Sequence, residues 1–97
     1  MQPDLKIFPD YGHPWPLWLP GTDEYAVSPH QLGLSQALTE HIRRWHQIWL
    51  NEFDVETGAW SSSRHRAAYL DESGSILQQL RAEYPGRVEL ALGSLQS

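Results

Sequence analysis

The sequence predicts an α+β protein, a two-layer sandwich in which a short sheet of three or four strands is covered by two long helices, in the order β-β-(β)-α-α-β. Three observations lead there. Six of the seven prolines lie within the first 29 residues, and because proline fixes φ and removes a backbone donor, that region holds strands and turns rather than a long helix. Two later stretches, about 35–57 and 62–84, repeat apolar residues at helical spacing. A last stretch, about 87–92, alternates apolar and polar residues like a half-buried strand. At 97 residues the chain suits one domain, 1–97, with a proline- and aromatic-rich strand region over 1–33.

The elements follow in chain order. Leu5-Lys6-Ile7-Phe8 is a short strand stopped by Pro9, and Pro16-Leu17-Trp18-Leu19 is a second, closed by the Pro20-Gly21 turn signal. Glu24-Tyr25-Ala26-Val27 is expected to return as a third strand across that turn. Ser28 followed by Pro29 reads as a cap and first helical position, opening one turn before Gly33. Ser35 then caps the first long helix, whose apolar face is Leu38, Ile42, Trp45, Trp49 and Phe53. On its other side Glu40 stands in the favourable i,i+4 order to Arg44, and Gly58 is the expected C′ residue.

The second helix follows Trp60, with Ser61, Ser62 or Ser63 as its cap. Its expected apolar face is Ala67, Leu70, Gly74, Leu77, Leu80 and Tyr84. Glycine inside a helix costs about 1 kcal/mol relative to alanine, so Gly74 predicts a close approach by a backbone or a large ring. Pro85-Gly86 ends the helix. Val88, Leu90 and Leu92 form one face of the closing strand, which is expected to pair beside the first.

Seven Lys+Arg against twelve Asp+Glu leave a formal net charge of −5. The excess is confined to residues 1–60, while 61–97 hold four acids and four bases. Nucleic-acid binding draws on a basic stripe for phosphate contacts, and none is present, so no nucleic-acid partner is expected. A field of this sign steers a basic partner. No segment is long and apolar enough to span a membrane, and Met1 is followed by neither a basic nor an apolar leader, so a cytoplasmic location is expected.

The absence of cysteine excludes disulfides, thiol nucleophiles and sulfur-bound zinc. His41 and His46 are five residues apart, about 140° around a helix, so they cannot grip one ion together. There is no G-x-S-x-G elbow and no glycine-rich phosphate loop; the serines stand where helix caps are needed. No catalytic residue, metal or cofactor is expected.

The densest aromatic feature is the run from Phe8 to Trp18, where prolines hold Tyr11, Trp15 and Trp18 on an extended segment. Such rings anchor protein interfaces at low entropic cost; equally, they can lock a loop onto the core of a small domain. Acidic residues cluster at Asp23-Glu24 and at Glu52, Asp54 and Glu56, with Asp10 inside the aromatic run.

The F-P-D-Y-G opening at Phe8–Gly12 with Pro16-Leu17-Trp18, the Leu32-Gly33-Leu34-Ser35 approach to a tryptophan-bearing helix, Trp60-Ser61 and the closing Val88-Glu89-Leu90 together resemble a class of short uncharacterised bacterial proteins, over roughly residues 7–92. In style the chain also resembles the immunity partners of bacterial toxins. The class implies no activity, cofactor or catalytic residue. The leading expectation is a non-enzymatic protein-binding module, an immunity-type inhibitor or accessory protein. Its acids Asp23, Glu24, Glu52, Asp54 and Glu56 would steer a basic protein partner, with Asp10, Tyr11, Trp15 and Trp18 at the contact. The alternatives are a small-molecule binder or modest enzyme with a tryptophan-lined pocket between helices and sheet and His41 or His46 at its mouth, and a homodimer completed by an exposed apolar helix face.

Overall fold

The computed structural model describes residues 3–10, 13–23 and 25–91. Its elements run β1 (Leu5–Ile7), β2 (Leu17–Trp18), α1 (Gln36–Glu52), β3 (Phe53–Asp54), β4 (Ala59–Trp60), α2 (Ser63–Glu83) and β5 (Val88–Leu90). Two helices pack against a three-stranded sheet of order β2-β1-β5, with a separate β3-β4 pair. This is the α+β class read from the pattern.

β1 is central because it is apolar on the side that matters: Leu5 and Ile7 are fully buried. It pairs antiparallel with β2 (Lys6 opposite Trp18, Ile7 opposite Leu17) and parallel with β5 (Leu5 opposite Val88, Ile7 opposite Leu90). The closing strand therefore does lie beside the first. Period-two alternation sends Leu5, Ile7, Leu17 and Val88 into one core with Leu38, Ile42, Trp45, Ile76 and Leu80 of the helices. The opposite face of the sheet is not bare. Phe8 stacks on Trp18 at 4.7 Å, Tyr25 and His13 lean on the same indole, and Trp18 Nε1 donates to Phe8 O at 3.0 Å.

Local chemistry sets the helix starts. Ser35 Oγ accepts from Leu38 N at 3.2 Å, and Ser62 Oγ, the central serine of the run, accepts from His65 N at 3.2 Å. Both carboxylate oxygens of Glu83 accept from Ser35, at 2.6 and 2.7 Å, so the end of α2 closes the start of α1. Residues 28–34 form the expected single turn. Ser28 Oγ accepts from Gln31 N and Gln31 Oε1 from Ser28 N, a reciprocal capping box, before Gly33 turns left-handed at φ +70°.

Several details differ from the pattern. The third strand reduces to one bridge, Trp18 with Ala26, because Ser28-Pro29 turns the chain away immediately afterwards; Glu24 lies outside the described residues. The first helix stops at Glu52 rather than 57. Phe53 sits one helical repeat past Trp49, yet it takes extended angles and pairs with Trp60, so Gly58 (φ +70°) serves the hairpin turn instead of a helix end. Glu40 pairs with Arg43, one residue before the expected Arg44.

The buried face of α2 is Tyr69, Ser73, Ile76 and Leu80, while Leu70 and Leu77 are half-buried and Ala67 and Gly74 exposed. A Cβ at Gly74 would meet no atom within 4 Å, so no close approach explains it. β5 covers 88–90 rather than 87–92, and Leu92 lies outside the described residues.

Candidate partner-binding face

Where α1 ends, three segments converge. Trp49 and Phe53 stack at 5.6 Å at the end of the helix, Phe8 and Pro9 arrive from the end of β1, and the β3–β4 turn folds over with Val55 and Gly58. Between them, lined also by Ala91, lies a recess of about 410 Å³. Among the described residues those lining it are apolar or glycine, with no charged side chain.

The turn that forms one wall is built by its own sequence. Gly58 N donates to Asp54 O at 2.7 Å, closing the loop in the left-handed conformation glycine allows. Asp54 Oδ1 accepts from Glu56 N at 2.9 Å. The loop is anchored behind: Ser61 N donates to Glu52 O, Ser61 Oγ donates to the Glu52 carboxylate at 2.6 Å, and His65 Nδ1 lies 3.4 Å from the same carboxylate. At the loop's tip Val55 is 50% exposed, and the only other large hydrophobic residue so exposed among those described is Tyr25.

The expected site residues separate into groups. Asp54 and Glu56 stand on the hairpin beside Val55, and Asp10 follows Pro9 directly and is exposed. All three adjoin recess-lining residues in the chain, though none lines the recess itself, and Asp54 lines a second hollow with Glu52, Trp60 and Ser61. Glu52 is half-buried and engaged with Ser61 and His65 behind the hairpin. Asp23 is exposed at the Pro20–Asp23 turn, at the opposite end of the sheet by the β1–β2 register. Trp18 is 6% exposed, held between Phe8, Tyr25 and His13, and Trp15 is half-buried against the core. Tyr11 and Glu24 lie outside the described residues. Val55 escaped the sequence reading, although an apolar residue inside the acidic D-V-E-T-G run was a visible signal.

Neither histidine proposed for a pocket mouth lines the recess. His41 sits between the helices, its Nε2 paired with Glu72 and its Nδ1 bonded to Gln79 Oε1 at 3.1 Å. His46 is buried beneath the 13–14 loop, where Nδ1 donates to Pro14 O at 3.1 Å. Burial holds the His46 imidazole below its ordinary value, and the charge of His13 acts the same way; the Pro14 and Asp10 backbones and the Asp10 charge oppose them without prevailing. Among the described residues the recess thus lacks the convergent polar groups that small-molecule sites carry. Neither exposed large hydrophobic residue lies on a helix, where a dimer seam was expected.

A family model described as Serratia CdiI immunity protein-like matches residues 3–92, most of the chain. The match agrees with the immunity-type resemblance drawn from the residues. No curated protein matches the chain.

Proposed function

We propose, from the premise that the chain belongs to the Serratia CdiI immunity protein-like family, that it is a non-enzymatic inhibitor that binds and neutralises a toxin protein, and that the encounter takes place in the cytoplasm. The observation that carries the binding mode is the apolar recess of about 410 Å³ tipped by exposed Val55, with Asp54 and Glu56 next to Val55 and Asp10 next to Pro9 in the chain. An apolar centre with a charged rim is how protein interfaces are built: the centre supplies the energy and the rim supplies the rate. A basic toxin surface complements this rim and the chain's net charge of −5. The rigid hairpin, pinned through Glu52 and Ser61, presents Val55 at little ordering cost on binding.

The experiment is capture of the toxin from the source organism at low and moderate salt, followed by association and dissociation rates of the purified pair. Asp10→Lys with Glu56→Lys is expected to slow association and flatten its salt dependence. Val55→Asp is expected to raise the dissociation rate by about tenfold or more. Unchanged rates in both variants would remove the recess from the interface.

A further inference from the structure

Among the described residues no strand pairs with the outer edge of β5, and the chemistry of that edge differs from that of the recess. Arg87 O accepts from Leu5 N at 2.8 Å and Ala91 N donates to Ile7 O at 2.9 Å, so residues 87, 89 and 91 aim their backbone groups at β1. By the two-residue period of a strand, Val88 and Leu90 aim theirs away from the sheet. Beside that edge runs a groove of about 540 Å³, walled by Leu77 and Arg81 of α2 and by residues 87–90. Arg81 Nη2 reaches across it to Val88 O at 3.5 Å, a long bond made where a neighbouring strand's N–H would sit. Among the described residues neither Arg81 nor Arg87 is in an ion pair.

We infer that this edge is a docking site for an extended segment of a partner protein, which adds a fourth strand beside β5 and presents a carboxylate to Arg81 and Arg87. The incoming N–H takes Val88 O, and the Leu90 N–H and C=O complete the ladder. The displaced Arg81 guanidinium then holds the carboxylate in a charge-assisted hydrogen bond. A second copy of this chain fits poorly: the antiparallel register that pairs all of β5 sets Glu89 opposite Glu89, and like charges directly opposite destabilise a pair. The inference is independent of the toxin-inhibitor reading, since that face calls for a basic partner.

The test uses a short synthetic peptide of alternating valine and glutamate, titrated into the isotopically labelled protein. Slowed hydrogen exchange at the Val88 and Leu90 amides is expected. Arg81→Ala with Arg87→Ala, both exposed positions, is expected to weaken binding by about tenfold or more. The same peptide N-methylated on its pairing edge is expected not to bind. Equal binding by a lysine-for-glutamate peptide or by the N-methylated form would overturn the proposal. So would unperturbed exchange at Val88 and Leu90, which would leave Arg81 as a side chain that merely shields an edge. Concentration-dependent dimer mass that disappears with Leu90→Pro would assign the edge to a second copy instead.

Discussion

The two helices bury themselves by different means. α1 drives aromatic mass into the core: Trp45 stacks on Tyr69 at 4.7 Å and donates from Nε1 to Tyr69 O at 2.9 Å, and Trp49 continues the row to Phe53. Its buried positions, Leu38, Ile42, Trp45, His46 and Trp49, form one stripe. α2 contributes a mixed face, Tyr69, Ser73, Ile76 and Leu80, with Leu70 and Leu77 half-buried on its flank. A helix with one dominant stripe has only one way to face a core. A helix with two overlapping apolar rows is oriented by its partners, and here the Trp45–Tyr69 stack selects the row. Rotation about a helix axis is thus a property of the pair when one member is ambiguous.

The largest effect that could break this comparison comes from neighbours in sequence. Ile76→Ala is expected to cost about 2–5 kcal/mol, as large-to-small changes in a closed core do. Leu77→Ala, on the flank, should cost clearly less. Urea midpoints of both variants check the orientation of α2; equal costs would mean that its two rows are equally buried.

Tyr69→Phe sharpens the same point. The Tyr69 hydroxyl is buried with no hydrogen-bond partner among the described residues, and burial pushes its ionisation far above the ordinary tyrosine range. An unsatisfied buried donor costs about 1–3 kcal/mol, so its removal is expected to raise stability by up to that amount while leaving the ring stack intact. A loss in the urea midpoint would show that the hydroxyl has a partner.

The pH dependence of α1 is the third probe. Burial lowers the His46 pKa below its ordinary value of 6.5, so the unfolded chain takes up a proton before the folded one does. Stability is therefore full above about pH 6.5 and declines as the pH falls from there through the lowered folded-state value. His46→Asn, which retains a donor for Pro14 O, is expected to flatten this slope between pH 7.5 and 5.5 relative to the parent, in urea titrations run at about those two values. An unchanged slope would assign the pH dependence to other groups. The smallest effect is Gly74→Ala, which meets open space on the exposed side of α2 and is expected to add about 0.4–1 kcal/mol. Destabilisation would mean that something approaches Gly74 after all.

These differences trace what could be read in advance. Ser35 and Ser62 cap their helices through bonds spanning three residues, and the prolines of the first 29 residues restrict their own φ, so such features are written locally. Phe53 is the counterexample: its spacing from Trp49 suits a helix and its aromatic ring suits a strand, and only pairing with Trp60 decides between them. The recess was half legible. Phe8, Trp49 and Phe53 stood out as aromatic residues, but their meeting with Val55 depends on the hairpin that the helical pattern concealed.

The α+β class, the helix starts and the closing strand follow from local chemistry, because capping, proline geometry and alternation act over a few residues. Contacts across the fold settled the face α2 buries, the exchange of a helix turn for a hairpin at Phe53, and the meeting of Phe8, Trp49, Val55 and Ala91 at one apolar recess. Each of these depends on contacts between segments distant in the chain, whose free energy no local period encodes.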